Sequence, residues 1–460
     1  MFRCFFILMV SVLLGGSPSV FAYSLLTHEQ LIDLTWDDSI VPLLLNSYPN
    51  LTPQQLMEAR AYAYGGCVIQ DIGYYPYGHP SFSDLTHYVR SGDFVVNLFR
   101  NAHNADELAF AIGALSHYIG DNFGHSLATN IAVPVQFPKL GAQYGPDVSY
   151  VQGKHEHVQT EFAFDINEIA HHRVAPLRYL RSFGLGVSTK QLSMATYQTY
   201  GIAENFTGSR SGRVNVRGYY FAVRSFIPRV AYAVTLLHRH HEPPDSDTPE
   251  ATEMRKEIAE TAAANNWAAY RDHAGIGTWS LAALIFILPK IGPLKLAAVK
   301  GPTPDTEAEY MHSLYVSVSE LRRVLARFTP PKARRARQKT VSSSTNQQLI
   351  PHESGGDPYH PLPNRDLDTA KIARPGSYPL TDSTYAGLLH KLTRQPQVPI
   401  PFGIKEDIQA FYANPAAPDG TKKDPARWAQ VQADLVTLDT MPTSQRPEVF
   451  PTYEEDAHHP

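Results

Sequence analysis

The chain has 460 residues, which is enough for a large hydrophobic core and for more than one domain. Its 40 Lys and Arg residues are nearly balanced by 44 Asp and Glu residues, so the net charge is −4. No overall basic field therefore indicates a nucleic-acid partner.

The N-terminus has the three parts of a secretory signal peptide. Arg3 supplies a positive charge, an apolar run covers residues 4–14, and small residues precede Ala22. We expect cleavage after Ala22 and export to the periplasm or outside the cell, the alternative being a buried N-terminal helix. Loss of Cys4 would leave Cys67 as the one cysteine, so no intramolecular disulfide is expected and bound metal is a candidate stabiliser.

Helical periodicity dominates from residue 23 to about 240, and no segment alternates with period two for long. Capping-box patterns at 52–55 and 104–107 predict two helix starts. Apolar spacing near 3.6 residues predicts further helices over 156–171 and 216–240. The sequence therefore predicts an all-α fold.

Loops and polar breaks interrupt these helices. Proline, glycine and aromatic residues predict loops over 74–78 and 134–146. A polar break at 242–247 precedes a second helical stretch from 251 to about 328.

We expect four parts, namely a signal peptide at 1–22, a helical domain at 23–240, an additional helical region at 241–329, and a basic linker with a proline-rich tail at 330–460. The composition of the tail favours either an extended wrap over the helical body or partial disorder. Short helices are predicted within it over 382–393 and 404–412.

His117, Asp121 and His125 stand at positions i, i+4 and i+8 of the helix that begins near 104–107. At ~100° per residue the three positions lie within an arc of about 80° on one face. Burying a carboxylate beside two imidazoles costs several kcal/mol unless a cation compensates it, and residues 101–130 contain no Lys or Arg. Imidazole and carboxylate are ligands that zinc takes.

His157 and Glu161 repeat the i, i+4 pairing on a second helix, and His28, Asp71 and His87 lie upstream. Facing helices commonly supply the ligands of one metal site. For His87 taken alone, a hydrogen-bonded core histidine remains the alternative. Together these residues predict a polynuclear zinc hydrolase.

The motif Ser-His-x-x-x-Asp-x-x-x-His-Ser at 116–126 and its partners resemble the zinc-dependent phospholipase C family. Bacterial secreted members and the catalytic domain of glycosylphosphatidylinositol-specific phospholipase D are most similar, and the single-strand-specific zinc nucleases of fungi and plants are more distant. The resemblance covers about residues 23–235. It implies an all-α, multi-helix bundle of the phospholipase C/nuclease type with a trinuclear zinc site, followed here by an irregular C-terminal extension.

The resemblance also implies the zinc ligands, which in chain order are Tyr23, His28, Asp71, His87, His117, Asp121, His125, His157 and Glu161. After cleavage Tyr23 would bind through its α-amino group and carbonyl oxygen, and Asp121 would bridge two zinc ions. Asp71 is also the expected catalytic residue, orienting or deprotonating the attacking water. His79 and His155 remain alternatives to His87 and His157.

These ligands lead us to expect about three Zn²⁺ ions per chain and hydrolysis of a phosphodiester, most naturally a phospholipid that loses a phosphorylated head group. A zinc nuclease or other phosphodiesterase is the second hypothesis, and a non-catalytic zinc-binding structural protein is the third. Asp121 and His125 have three residues between them where most bacterial phospholipases C and the nucleases have five, which disfavours the nuclease. No stable nucleic-acid partner is expected.

Two segments suggest a peripheral membrane contact. The apolar stretch over 279–296 could lie on a membrane surface, the alternative being a core helix pair broken by proline. The basic run at 332–339 could contact anionic lipid, the alternative being a solvated linker.

Overall fold

A computed structural model of the protein describes residues 25–238, 245–271, 274–287, 299–327, 360–413 and 424–444. Helices and helical turns form nearly all of the secondary structure in these residues, which contain two isolated β-bridges and no β-strand. The predicted all-α fold class is confirmed. None of the described helices combines the length and the apolar character that a bilayer span requires.

The first part of the chain contains α1 (Leu25–Thr35), α2 (Val41–Ser47), α3 (Pro53–Gly66), α4 (Pro80–Tyr88), α5 (Ser91–Arg100), α6 (Ala105–Gly124), α7 (Asn130–Gln136), α8 (Pro138–Tyr144), α9 (Lys154–Ala170), α10 (Leu177–Phe183) and α11 (Thr189–Tyr200). The remainder contains α12 (Arg210–Phe221), α13 (Ile227–His238), α14 (Pro249–Ala264), α15 (Ile276–Ile287), α16 (Pro304–Arg327), α17 (Pro379–Thr393), α18 (Phe402–Phe411) and α19 (Pro425–Thr440). Short 3₁₀ turns lie at Ile69–Gly73, Tyr150–Gln152 and Trp267–Tyr270, and π-helical turns lie at Trp36–Ile40, His125–Thr129 and Ala222–Phe226.

Both predicted helix starts are confirmed by their caps. The hydroxyl of Thr52 accepts a hydrogen bond from the Gln55 backbone, and the Gln55 side chain accepts one from the Thr52 backbone. At the start of α6, Asn104 accepts from the Glu107 backbone at 2.9 Å. These caps satisfy N–H groups that a helix N-terminus leaves without partners inside the helix.

A close crossing of α3 and α6 anchors the helix that carries His117 and Asp121. A Cβ atom on Gly66 would lie 2.1 Å from the carbonyl oxygen of Phe110, and one on Gly113 would lie 2.2 Å from that of Ala63. Only glycine allows the two backbones to approach this closely. The crossing therefore fixes α6 against the core.

The carboxylate of Asp165, on α9, holds the start of α1. It accepts hydrogen bonds from the backbone of Leu26 at 3.0 Å and from the hydroxyl of Thr27 at 3.0 Å. A carboxylate at a helix N-terminus is also favoured by the helix dipole. Because α9 also carries His157 and Glu161, this contact fixes the position of α1, with its candidate ligand His28, relative to α9.

Later parts of the chain pack against the same core. The hydroxyls of Tyr310 and Thr27 lie 3.0 Å apart, and the ring of Tyr310 stacks on Phe164 with centroids 4.7 Å apart. One hydrophobic cluster takes side chains from Leu25 through to Met441. The helices predicted over 382–393 and 404–412 are found as α17 and α18.

The loop predicted over 134–146 is wrong, since α7 and α8 occupy most of it. Pro138 is the first residue of α8, a position where the missing N–H is not needed. Pro134 lies inside α7, and the carbonyl oxygen of Asn130 instead accepts from the backbone of Val148 at 2.9 Å. Tertiary contact thus replaces the helical hydrogen bond that proline cannot make.

Several sequence predictions lie outside the described residues. These are the signal peptide at 1–22, Tyr23, the basic run at 332–339 and much of the linker. The expected boundaries at 240 and 330 also fall in undescribed segments, 239–244 and 328–359.

Candidate metal centre

The carboxylate of Asp121 lies among three imidazoles. Its Oδ1 atom is 3.2 Å from His28 Nε2, and its Oδ2 atom is 3.1 Å from His117 Nε2 and 3.3 Å from His87 Nε2. The two oxygens therefore face different histidines. This is the arrangement that a carboxylate needs to bridge two cations.

Asp71 extends this cluster from the 3₁₀ turn at Ile69–Gly73. Its Oδ1 atom lies 3.4 Å from His87 Nε2, which in turn lies 3.4 Å from His117 Nε2. The side chains of Asp71, His87 and His117 are all buried.

A second cluster joins the end of α6 to α9. Glu161 Oε1 lies 2.8 Å from His157 Nδ1 and 3.3 Å from His125 Nε2. The rings of His125 and His157 pack edge to face with centroids 5.1 Å apart. All three side chains are buried.

The structure thus brings the predicted side chains that it describes into three groups, each with candidate ligand atoms within 4.8 Å of one another. The groups are His28, His117 and Asp121; Asp71, His87 and His117; and His125, His157 and Glu161. Among the described residues, the alternatives His79 and His155 belong to none of these groups, and His79 is exposed.

Backbone carbonyls orient two imidazoles of the first cluster, those of His87 and His117. His87 Nδ1 donates to the carbonyl oxygen of Ser83 at 2.7 Å, and His117 Nδ1 donates to that of Cys67 at 3.1 Å. Since a carbonyl can only accept, each Nδ1 carries the proton and each Nε2 presents its lone pair to the cluster. Such outer contacts fix the tautomer of metal-binding histidines.

The second cluster has its own supports. His125 Nδ1 donates to the carbonyl oxygen of Leu367 at 2.9 Å, and His157 Nε2 donates to Asn130 Oδ1 at 2.8 Å. The π-helical turn explains the place of Asn130, whose backbone N–H donates to the carbonyl of His125. Five residues along an α-helix, Asn130 would lie about 140° from His125, whereas an i→i+5 turn returns it to the same side.

The first cluster strongly favours positive charge beside its carboxylates. Burial alone would raise the pKa of Asp121, but His117 and the two other imidazoles hold it well below its usual range. Burial also acts to lower the pKa of His87, yet contacts with Asp121 and Asp71 raise it well above the usual value. The pKa of His28 is lowered by burial and by the charge of His117.

In the second cluster, carboxylates also raise the pKa of a histidine beside them. Burial alone would lower the pKa of His125, but contact with Glu161 and nearby carboxylate charges, including that of Asp368, raise it to about 10. The carboxylates of both clusters therefore favour a positive charge beside them. A bound divalent cation provides that charge without protonating the imidazoles.

The polar atoms of both clusters fit a metal better than they fit one another. Both oxygens of Asp121 and of Glu161, Asp71 Oδ1, His125 Nε2 and His157 Nδ1 are buried without a hydrogen bond of good geometry to the described residues. Within the described part of the chain, no Lys or Arg pairs with these carboxylates. Imidazole nitrogen and carboxylate oxygen form a donor set suited to zinc.

Residues 27–204 match the model of the family described as zinc dependent phospholipase C. This part of the chain is therefore similar to the zinc-dependent phospholipase C family. The family predicted from the motif at 116–126 is thereby confirmed, and the match supports a zinc hydrolase of the phospholipase C type. No curated protein and no solved structure gave a significant match.

The eight candidate ligands that the structure describes all lie within the matched phospholipase C region. Sequence reasoning missed the groups that support them. Asn130 could not be identified from the sequence, because nothing in the residue types predicts the π turn. Asp165 did carry a signal, since it follows Glu161 by four residues and so lies on the same helix face as His157 and Glu161. Leu367 lies 242 residues from His125 and contributes a backbone carbonyl, which no residue type reveals.

Proposed function

We propose that the protein is an exported zinc hydrolase that cleaves the phosphodiester bond of phospholipids and releases a phosphorylated head group. The match of residues 27–204 to the phospholipase C family supports the reaction type. The observation that carries the proposal is the Asp121 carboxylate, whose two oxygens face different histidines at 3.1–3.3 Å. Multinuclear zinc centres suit phosphodiesters because clustered cations stabilise the developing charge.

The proposed ligands form three sites. One zinc would be held by Asp71, His87 and His117, a second by His28 with the α-amino group and carbonyl of Tyr23, and a third by His125, His157 and Glu161, with Asp121 bridging the first two. Bound zinc lowers the pKa of a coordinated water towards ~7 and offsets the charge of the phosphate. Tyr23 lies two residues before α1, and His28 lies within its first turns.

We assign Asp71 the role of orienting and deprotonating the attacking water. Its Oδ1 atom is buried, makes no hydrogen bond of good geometry to the described residues, and lies at the His87 side of the cluster. A carboxylate has two oxygens, so one can hold zinc while the other takes a proton from a water held beside it. The side chain of His87, fixed by the carbonyl of Ser83, keeps its Nε2 atom directed at the same place.

The activity can be measured on a mature chain that begins at Tyr23 and is loaded with zinc. Vesicles of phosphatidylcholine and of phosphatidylinositol should release soluble phosphate ester and leave diacylglycerol. Asp121→Asn should abolish release, whereas Asp434→Asn, a buried carboxylate on α19 bonded to Thr393, should not. Release of nucleotides from single-stranded DNA without lipid cleavage would establish a nuclease instead. Zinc binding without any turnover would establish a zinc-binding structural protein.

We also propose that α15 contacts the lipid surface on which the substrate lies. The twelve residues of Ile276–Ile287 include no charged side chain. Ile276, Phe286 and Ile287 are 86%, 74% and 78% exposed, which is unusual for large apolar groups on one short helix. An apolar face of this kind fits the boundary between lipid head groups and acyl chains.

Vesicle sedimentation tests this contact. Phe286→Ser combined with Ile287→Ser should reduce the bound fraction and slow vesicle hydrolysis, while hydrolysis of a short, monomerically dissolved phosphodiester should be unchanged. Val436→Ser on α19 is a matched control, because Val436 is 69% exposed. Equal sedimentation of all the variants would refute the contact and leave the hydrolase assignment standing.

A further inference from the structure

A segment far outside the family match, residues 360–378, lies across the metal centre, and we name it the C-terminal strap. The hydroxyl of Ser91 donates to the carbonyl oxygen of Arg365 at 2.6 Å, and that of Tyr118 donates to the carbonyl of Pro363 at 2.7 Å. A Cβ atom on Gly92 would lie 2.5 Å from the carbonyl oxygen of Leu362. The strap is therefore packed closely on α5 and α6.

The strap touches candidate ligands through its backbone. The N–H of Leu367 donates to the carbonyl oxygen of His87 at 3.1 Å, and the carbonyl of Leu367 accepts from His125 Nδ1 at 2.9 Å. One residue of the strap thus contacts histidines of both clusters. The second contact fixes the tautomer of His125 so that Nε2 faces Glu161.

Asp368 supports the same site in two ways. Its backbone carbonyl accepts from Asn130 Nδ2 at 2.9 Å, and the Oδ1 atom of that asparagine accepts from His157. Its side chain is buried, with Oδ2 accepting from the hydroxyls of Tyr88 at 3.0 Å and Tyr378 at 2.6 Å. These two bonds direct Oδ1 towards His125 Nδ1, which lies 3.7 Å away.

We propose that the C-terminal strap completes the third zinc site, with Asp368 as a positioning residue for His125 and, through Asn130, for His157. The inference rests on the proposed zinc ligands and adds a structural element from outside the phospholipase C region. In the first cluster, the imidazoles of His87 and His117 are supported by the carbonyls of Ser83 and Cys67, within that region. Loss of the Asp368 charge should therefore weaken one zinc site and leave the others unchanged.

The test is a zinc competition titration of the full mature chain with a graded chelator. Asp368→Asn preserves the shape of the side chain and an oxygen that can accept from both tyrosines, but it removes the charge beside His125. One zinc should be lost at a chelator concentration about 10-fold lower or more, since changes in the outer contacts of metal ligands typically cost 10–100-fold in affinity. The remaining zinc should be lost as in the wild type.

Asp434→Asn is the matched control, because it makes the same change at a buried carboxylate of the C-terminal part. With cobalt in place of zinc, the absorption band of the weakened site should shift in Asp368→Asn and not in the control, which a general loss of stability would not produce. Asn130→Ala removes the hydrogen bond to His157 and should likewise weaken one zinc site and leave the others unchanged. This second variant tests the proposal if Asp368→Asn does not fold.

Two results would overturn the inference in different ways. If the wild type binds three zinc ions and both variants keep them with unchanged affinity, the strap does not support the site and the proposed function survives. If the wild type holds no zinc at His125, His157 and Glu161, the inference and the proposed zinc assignment fail together.

Discussion

Replacing the carboxylate of Asp121 tests the metal centre at the side chain that lies beside three of its histidines. Asp121→Asn keeps the size of the side chain but turns one oxygen into a nitrogen donor, which cannot bind a cation. Both oxygens of Asp121 lie within 3.3 Å of an imidazole nitrogen, whereas Glu161 faces its two histidines through Oε1 alone. Asp121→Asn should therefore disturb two zinc sites and Glu161→Gln only one.

The size of the effect follows from the burial of this group. Removing one partner of a buried charge pair costs about 3–5 kcal/mol, which corresponds to roughly 10²–10⁴ in a binding constant. At micromolar protein after gel filtration, Asp121→Asn should retain one zinc per chain and Glu161→Gln should retain two, against the three proposed for the wild type. Metal analysis by mass spectrometry gives these ratios directly.

Asp434→Asn is again the control and should retain the wild-type metal content. Circular dichroism of each variant reports whether the helices remain folded. If Asp121→Asn keeps as much zinc as the wild type, Asp121 bridges no pair of metal ions. If Asp121→Asn and Glu161→Gln lose equal amounts, the two carboxylates serve equal numbers of sites and the ranking is wrong.

Three further predictions address the N-terminus, the metal and the core. A chain that begins at Met1, or that has one extra residue before Tyr23, should bind less zinc than one beginning at Tyr23, because an amide nitrogen is a poor ligand. Equal zinc stoichiometry by metal analysis would exclude the N-terminal amino group as a ligand. Removal of zinc by a chelator should lower Tm in calorimetry, and added zinc should restore it, because buried carboxylates lose their compensating charge. Gly113→Ala should cost about 1–3 kcal/mol or more in urea unfolding, because the new Cβ would lie 2.2 Å from a carbonyl oxygen, whereas Gly387→Ala, which meets nothing within 4 Å, should be neutral or stabilising.

The candidate ligands were predictable because their spacing is a local property of helices. His117, Asp121 and His125 share a face at any position in a fold, and so do His157 and Glu161. Which histidine would meet which carboxylate across helices came from the family resemblance. The structure brings His28 and His87 to the two sides of Asp121, as that resemblance implied.

What could not be predicted depends on contacts between distant segments. The strap belongs to a proline-rich stretch without periodicity, and its contact with His125 uses the backbone of Leu367. Pro134 suggested a loop because local propensity disfavours proline inside a helix, yet Val148 supplies the hydrogen bond that makes the helix tolerable. Both contacts use backbone atoms, so the residue types near them do not reveal either one.

The π-helical turn at His125–Thr129 bears on how relatives of this chain can vary in length. The turn takes up one residue more than an α-helical turn, so α7 leaves it on the same side as it would without the extra residue. A homologue one residue shorter here would form an ordinary turn and still present its asparagine to the second imidazole. Deleting one more residue would swing that asparagine away by about 100°. Loss of a single residue is therefore tolerable at this point, while loss of two would separate the metal site from its support.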